Sequence, residues 1–265
     1  MSKKIFLDGS METVFQKINS CENFTLMRMG DGERSLMLGK PVHAQEGWVA
    51  PQEITALGKA LWKSMTFTED NVIYGISCPC CDREAYYWFV SHLKTKNITF
   101  SNIFVNANYY TFIERFEKIK RDAIVIANEA GINNKIGNLN ILKYYPVGNQ
   151  CVNQWEEEGE KIIQQIILDY GERNDLLYVL SAGPLSEPII AELYRNNPNN
   201  CYIDFGSSID RYIHHKDTRP YTDKNSVYGS RNCWMYDPQT TSFDVTAVLT
   251  TYKKPDALGK QLDAT

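Results

Sequence analysis

Short apolar runs alternate along the chain with longer segments whose apolar residues recur at helical spacing. The run 122–128, "DAIVIAN", is nearly all apolar, as is typical of a strand covered on both faces. The segment 52–65, "QEITALGKALWKSM", instead repeats its apolar residues every three or four positions, which predicts a helix. By these criteria strands are predicted at 24–29, 71–77, 102–107, 122–128, 142–147, 175–184 and 200–206. Helices are predicted at 52–65, 82–96, 109–120, 153–171, 185–196 and 207–215.

This alternation predicts an α/β protein with a mostly parallel sheet and helices on both faces. No Pro/Gly/Ser-rich linker interrupts the series, so we expect one Rossmann-like domain over 1–215. From residue 216 the periodicity is lost. We expect 216–265 to be an irregular C-terminal extension packed on the same domain, with a further strand within 242–252.

Composition narrows the class of partner. The chain has 265 residues, of which 43% are hydrophobic and 23% charged, with a formal net charge of -4. Because no Lys/Arg block stands out, a nucleic-acid partner bound by a basic face is not expected. No apolar run is long enough for a transmembrane segment, and the apolar stretch near the N-terminus is too short for a signal peptide. We therefore predict a cytoplasmic protein.

The seven cysteines are predicted to be free thiols, because their number is odd and no export signal precedes them. "CPCC" at 78–81 contains a C-x-x-C spacing, which raises the question of zinc. A structural zinc site needs four ligands, and no second Cys/His pair with suitable spacing follows. A loop of free cysteines after a strand is the favoured interpretation.

The stretch "RMGDGE" at 28–33 leaves the first predicted strand through two glycines and places Asp31 and Glu33 beside them. One interpretation is a tight turn followed by the start of a helix. The other is a metal and phosphate site, since open α/β sheets bind ligands at the carboxyl ends of their strands. Arg28 suits either interpretation, because it can bind phosphate through two hydrogen bonds or form a buried salt bridge with Asp31.

Five segments, in order, resemble the GT-D type of bacterial glycosyltransferase, a family first described as a domain of unknown function. "RMGDGE" matches its Arg-x-Gly-Asp-Gly-Glu segment, known there as the Asp-x-Glu motif. The other four segments are "VIANEAGINNKIGNL", "YYPVGNQCVNQWEEEGEKI", "LYVLSAGPLSEPIIAELYRN" and "YIDFGSSID". The chain departs from the family after Gly206, where Ser207 and Ser208 replace a histidine followed by acidic and aromatic residues. The departure bears on the acceptor and the donor more than on the class of reaction.

The resemblance implies a metal-dependent glycosyltransferase. Its donor would be a UDP- or GDP-linked sugar and its acceptor a saccharide or glycoconjugate. Asp31 and Glu33 would bind Mn²⁺ or Mg²⁺ against the diphosphate, and they are the predicted catalytic residues. A hard divalent cation held by carboxylates suits this chemistry, because it neutralises the leaving diphosphate. Either carboxylate can bind the metal while the other orients it or takes a proton.

The remaining predicted site residues lie at strand ends. Small residues in "SAGP" at 181–184 place backbone N–H groups before a helix, which suits an anion, although a plain turn explains them equally well. Asp204 is either a ligand of a ribose or sugar hydroxyl or the cap of the following helix. The predicted nucleotide-sugar-binding residues are Arg28, Gly30, Asn128, Glu129, Asn149, Ser181, Ala182, Gly183 and Asp204.

Aromatic residues in 216–238 suggest an acceptor site, because aromatic rings with nearby polar groups suit the apolar face and hydroxyl rim of a sugar. Tyr228 and Trp234 are the candidates. The alternative is that these rings cover a helix or form a subunit contact in a homo-oligomer.

Two rival functions stay open. A Rossmann-like dehydrogenase or methyltransferase fits the alternating pattern, but no G-x-G-x-x-G follows the first strand. A non-catalytic nucleotide- or sugar-binding module fits the same residues without turnover.

Overall fold

A seven-stranded parallel sheet with helices on both faces forms the centre of the protein. The computed structural model describes residues 11–44, 47–78, 81–223 and 225–226, together with the backbone of 5–6 and 242–243. The strands of the sheet are β1 (Thr25–Arg28), β2 (Val72–Ile76), β3 (Ile98–Phe100), β4 (Asp122–Asn128), β5 (Asn140–Val147), β6 (Leu177–Ser181) and β7 (Cys201–Asp204). Every pairing within it is parallel, in the order β3-β2-β1-β7-β6-β4-β5. The predicted fold class is confirmed.

The helices are α1 (Met11–Asn19), α2 (Asp31–Met37), α3 (Ala56–Ser64), α4 (Arg83–His92), α5 (Tyr109–Phe116), α6 (Cys151–Tyr170), α7 (Ser186–Asn196) and α8 (Asp210–Ile213). Side-chain caps set two of their starts: Thr55 accepts a hydrogen bond from Gly58 N–H before α3, and Asp82 accepts one from Ala85 N–H before α4. No helix in the described part of the chain combines the length and the apolar composition needed to cross a membrane.

Alternating side chains of the strands divide the core into two layers. Along β1, Met27 joins the apolar cluster beneath α2, α3, α4, α6 and α7, whereas Leu26 joins the cluster beneath α1, α5 and α8. On β7 the same alternation places Tyr202 in the first cluster and Ile203 in the second. Because both faces are buried, the strands read as continuous apolar runs in the sequence.

Two short antiparallel pairs lie outside this sheet. Val42–His43 pairs with Val49–Ala50, and Ile5–Phe6 pairs with Ser242–Phe243. Ser242–Phe243 lies within the strand predicted at 242–252.

One predicted strand is wrong. The sequence predicts a strand at 102–107, but the strand is Ile98–Phe100, and a 3-10 helix covers Asn106–Asn108. Ile103 and Phe104 are apolar because they fill the core layer of α1, α5 and α8 from a turn. Burial therefore explains the apolar run without a β ladder.

After the neighbouring strands β1 and β7 the chain continues on opposite faces of the sheet. β1 continues into α2, which packs in one core layer, and β7 continues towards α8, which packs in the other. Such a divergence opens a crevice at the carboxyl ends of the two strands, where α/β proteins bind their ligands. The predicted residues Arg28 and Asp204 are the last residues of β1 and β7.

Candidate functional site

The glycine-rich turn after β1 starts a helix, as one interpretation of the sequence predicts. Gly30 is the N-cap of α2, and Asp31 and Glu33 occupy its first turn. Glu33 folds back so that its Oε2 accepts a hydrogen bond from Gly30 N–H at 2.7 Å. A Cβ on residue 30 would lie 2.9 Å from that oxygen, so a larger residue there would require the Glu33 carboxylate to shift. Asp31 is exposed, and its carboxylate is therefore available to a ligand.

Burial raises the pKa of Glu33 to about 7, although the N–H groups of Glu33 and Gly30 oppose the shift. The negative charges of Asp31 and Asp204 raise it further. Glu33 therefore lies in a region where negative charge is in excess.

Arg28 binds backbone oxygens at the carboxyl edge of the sheet. Its Nε donates to the carbonyl of Ser101 at 2.8 Å, and its Nη1 donates to that of Phe205 at 2.6 Å. Nε also lies 4.0 Å from Asp204 Oδ2. The predicted salt bridge with Asp31 is therefore not the arrangement that forms. Arg28 joins the end of β1 to the turns after β3 and β7.

Gly206 permits this packing, since its φ is +50° and a Cβ there would approach Arg28 Nη1 and Nη2 to 3.3 Å. Asp204 Oδ1 accepts a hydrogen bond from Gly206 N–H at 3.0 Å, whereas the N-cap of the following 3-10 helix is Phe205, without a side-chain cap. Burial raises the pKa of Asp204, while Arg28, Gly206 and Ser186 favour its ionised form.

Glu187 is a residue of this region that the sequence analysis missed. It lies in the first turn of α7 and is 1% exposed, and its Oε2 has no hydrogen-bond partner among the described residues. Burial raises its pKa well above the ordinary value, and the charges of Asp204 and Glu33 add to the effect. The sequence does indicate its burial, because Glu187 shares a helix face with the apolar Ile190 and Ala191.

The turn after β6 only partly matches the predicted anion site. Gly183 has a φ of +54°, and the space beside its Cα is open, so a ligand can approach its backbone. Ala182 N–H instead donates to Ser186 Oγ at 3.2 Å. Its assignment as a phosphate contact is therefore weakened. Ser181 is half-buried as the last residue of β6.

The structure brings Asn128 and Asn149 together at the ends of β4 and β5. Asn128 Nδ2 donates to Asn149 Oδ1 at 2.7 Å, and Asn128 Oδ1 accepts from Ala130 N–H at 3.0 Å. Glu129 is exposed beside them. The end of β4 lies three strand positions from that of β1, or about 14 Å. These residues can therefore bind one end of an elongated ligand whose other end reaches Asp31.

The first part of the C-terminal extension returns to this edge. Tyr221 Oη and Ser207 Oγ are hydrogen-bonded at 2.6 Å, and Arg28 is among the charges that favour the ionised form of Tyr221. The segment after β7 thus lies beside the crevice. Tyr228 and Trp234, the predicted acceptor residues, lie outside the described residues.

Cys21, Cys151 and Cys201 are free thiols, as predicted. Among the described residues, no three histidine, cysteine, aspartate or glutamate side chains are grouped closely enough to hold a metal ion by themselves.

The carboxylate oxygens of Asp31 and Glu33 are nevertheless ligands of the type that the implied Mg²⁺ or Mn²⁺ prefers. Magnesium is commonly bound by one or two carboxylates, with substrate phosphates and water completing its shell. Asp31 presents an exposed carboxylate, and the excess negative charge around Glu33 favours a cation.

A cavity of about 310 Å³ lies elsewhere, between α1 and α5. It is lined by Phe15, Asn19, Thr111, Glu114, Arg115 and Lys118. Both helices lead from there towards the amino ends of strands, so this cavity is separate from the crevice at β1 and β7.

Comparisons with known proteins support the fold. No protein-family model matches the chain, and no curated protein is matched by its sequence. A solved structure of the highly conserved domain of unknown function 1792, described as having a distinct glycosyltransferase fold, has a TM-score of 0.54 and 12% identity. The match covers 78% of this chain and 81% of that chain.

A selenomethionine-substituted structure of the same domain has a TM-score of 0.55 and 13% identity, with the same coverage. A structure described as a new glycosyltransferase from Streptococcus sanguinis has a TM-score of 0.55 and 13% identity, covering 87% of this chain and 96% of that chain. This similarity agrees with the GT-D resemblance found in the sequence motifs. The chain therefore has the glycosyltransferase fold described for the domain of unknown function 1792.

Proposed function

We propose that this protein is a metal-dependent glycosyltransferase that moves a sugar from a nucleoside-diphosphate donor to a saccharide or glycoconjugate acceptor. The observation that carries the proposal is the position of the Asp31 and Glu33 turn. It lies in the crevice where β1 and β7 diverge, on a fold shared with glycosyltransferases.

The charge balance of the crevice supports metal dependence. The carboxyl groups of Glu33, Asp204 and Glu187 act on one another, and the basic group that acts on Asp204 and Glu187 is Arg28. Since Arg28 already binds two backbone carbonyls, it has limited capacity to neutralise a diphosphate. A diphosphate approaching these carboxylates would be repelled unless a cation lay between them.

Each residue of the crevice would have a distinct part in binding the donor. Asp31 and Glu33 would hold the metal ion, with Gly30 N–H fixing the orientation of Glu33. When bound, the ion would supply electrostatic stabilisation of the charge on the leaving diphosphate. The backbone at Gly183 would contact phosphate, since its surroundings are open.

The amides of Asn128 and Asn149 would bind the base or ribose, because they lie together along the same edge of the sheet. The extension that begins with Tyr221 would border the acceptor side. Holding the donor across this edge would orient its anomeric carbon towards the acceptor.

The test is nucleotide binding and turnover with and without metal. We expect UDP or GDP to bind much more tightly with Mn²⁺ or Mg²⁺ than with excess chelator, measured by isothermal titration calorimetry. A panel of UDP- and GDP-sugars should then yield free nucleotide and a glycosylated saccharide. Undiminished transfer in excess chelator would contradict metal dependence.

NAD and S-adenosylmethionine serve as controls for the rival Rossmann-like enzymes. Tight binding of either one, without binding of a nucleoside diphosphate, would favour a dehydrogenase or methyltransferase. Metal-dependent binding of nucleotide without turnover of any donor would favour a binding module.

A further inference from the structure

The C-x-x-C segment at 78–81 has no part in the proposed donor site, yet its two outer cysteines are held close together. Cys78 follows β2, and Cys81 precedes Asp82, the N-cap of α4. The Cys78 carbonyl accepts hydrogen bonds from Cys81 N–H and Asp82 N–H, each at 3.0 Å. A hydrogen bond from residue i+3 to residue i closes a turn, so the Cα atoms of the two cysteines lie within about 7 Å of each other.

This separation suits a disulfide bond. Disulfides usually join cysteines whose Cα atoms lie about 4.4–6.8 Å apart. Because backbone hydrogen bonds already fix the turn, closing the bond requires side-chain rotation but no movement of β2 or α4. The same spacing, between a strand and a helix of an α/β chain, is typical of thiol–disulfide motifs.

The two thiols differ in exposure. Cys81 is exposed, whereas Cys78 is 1% exposed. A small disulfide in solution can therefore reach Cys81 first, and Cys78 lies beside it, where it can attack the resulting mixed disulfide. An accessible cysteine next to a second, resolving cysteine is common among redox-sensitive sites.

The cysteine turn adjoins the candidate donor site. Gly75 of β2 pairs with Arg28 of β1, and Cys78 is three residues beyond Gly75 at the same carboxyl edge of the sheet. The helix that follows the turn, α4, is joined to α2 by an ion pair between Glu84 and Arg34. A covalent change at the turn would therefore take place beside the helix that begins at the acidic turn.

We propose that Cys78 and Cys81 are a thiol modification site that forms a reversible disulfide by exchange with a low-molecular-weight disulfide. The Cys81 thiolate attacks one sulfur of that molecule, forms a mixed disulfide and releases one thiol. The Cys78 sulfur then attacks the Cys81 sulfur, forms the Cys78–Cys81 bond and releases the second thiol. The two protein thiols lose two protons and two electrons, which pass to the two released thiols. This site goes beyond the proposed sugar transfer and does not depend on it.

The test exposes the reduced full chain to glutathione disulfide and then labels its thiols in two steps. Thiols that stay reduced are alkylated with a light reagent under denaturing conditions, and those released by later reduction with dithiothreitol receive a heavy reagent. Peptide mass spectrometry should find nearly complete loss of light label at Cys78 and Cys81, with light label retained at Cys80. Before the reduction, the peptide that holds these cysteines should carry no glutathione.

Two variants sharpen the assignment. Cys80→Ser keeps the spacing of Cys78 and Cys81 and should form the same disulfide. With Cys78→Ser added, Cys81 lacks its resolving thiol and should keep one bound glutathione. Cys21→Ser is the matched control, since Cys21 is exposed but belongs to no C-x-x-C segment, and the cross-link should form as in the wild type.

Three results would overturn the inference. They are light label on Cys78 and Cys81 after the oxidation, a glutathione adduct that persists at Cys81 while Cys78 is present, and heavy label at Cys80 in place of either cysteine. None of these measurements involves sugar transfer, so the proposed function and this inference can be contradicted separately.

Discussion

The two ends of the central sheet differ in the buried polar groups that they hold, because the buried acids Glu187, Asp204 and Asp210 lie at the carboxyl end. At the amino end, Asn200 Oδ1 accepts from Leu176 N–H at 2.9 Å, and its Nδ2 donates to the Arg173 carbonyl at 2.8 Å. Arg121 donates to the carbonyl of Asp175 at 2.7 Å. At the carboxyl end, Glu187 has an unpartnered oxygen among like charges.

We infer that the difference separates buried polar groups that serve the fold from acids placed for a ligand. Buried groups that serve only the fold are usually hydrogen-bonded, because an unmet donor or acceptor costs free energy. The amino end follows this rule at Asn200 and Arg121, whereas Asn23 Oδ1 and Thr25 Oγ1 have no partner among the described residues. At the carboxyl end burial raises the pKa values of Glu33, Asp204 and Glu187, and such perturbed acids are common at functional sites.

The largest expected effect is the loss of sugar transfer when an acid at the carboxyl end of the sheet is replaced. Asp31→Asn and Glu33→Gln should each lower kcat/KM for sugar transfer by about 100-fold or more, since metal stabilisation of a leaving group is worth several kcal/mol. Both melting temperatures should stay within a few degrees of wild type, because Asp31 is exposed and a glutamine amide oxygen can replace Glu33 Oε2 as the acceptor for Gly30 N–H. Steady-state kinetics and thermal melts provide the measurements.

The matched controls for these variants are Asp70→Asn and Glu172→Gln, which change exposed acids at the amino end of the sheet. They should transfer sugar at the wild-type rate. Wild-type transfer by both site variants would remove Asp31 and Glu33 from the catalytic site.

The next largest effect is a loss of stability when a buried amide at the amino end of the sheet is replaced. Asn200→Ala removes three hydrogen bonds and leaves the buried Leu176 N–H unsatisfied, so the free energy of unfolding should fall by about 2–4 kcal/mol. The folded fraction should keep its nucleotide affinity, because this end is remote from the crevice. Denaturant unfolding and calorimetry below the transition would measure the two quantities.

Asn199→Ala is the control, since that residue is exposed at the adjacent position. Its unfolding free energy should change by less than about 0.5 kcal/mol. A lower nucleotide affinity in folded Asn200→Ala protein would contradict the separation of the two ends.

The smallest expected effect concerns Asp210, which is buried at the carboxyl end but has a partner. Its Oδ2 accepts a hydrogen bond from Thr218 Oγ1. Burial raises the pKa of Asp210 from its ordinary 3.8 to about 6, with a further contribution from the charge of Asp217. The folded state therefore holds the proton more tightly than the unfolded state does.

This group should lower the stability of the wild type as pH rises from about 4 to about 6, and have a constant effect above that range. Asp210→Asn should accordingly be more stable than wild type at pH 7, by at most about 3 kcal/mol, and the advantage should vanish near pH 4. Urea unfolding at several pH values measures the difference in unfolding free energy between the variant and wild type. Asp70→Asn is the control for loss of one charge. An advantage independent of pH would contradict this explanation.

Local patterns predicted most of the elements and the position of the candidate site. The apolar run before "RMGDGE" formed β1, and its glycines and acids formed the start of α2 at the carboxyl edge. Asp82 capped α4 as its residue type and position predict. The strand predicted at 102–107 failed because Ile103 and Phe104 are buried from a turn, and apolar composition does not distinguish the two cases.

The sequence by itself determined the alternation of strands and helices, the class of fold and the acidic turn after β1, because these depend on residues close together along the chain. Only the tertiary structure decided that β7 lies beside β1, that Arg28 binds the carbonyls of Ser101 and Phe205, and that Glu187 is buried near Asp204. Those contacts join residues up to 177 positions apart. Strand order and burial arise from packing of the whole chain, and no local periodicity encodes them.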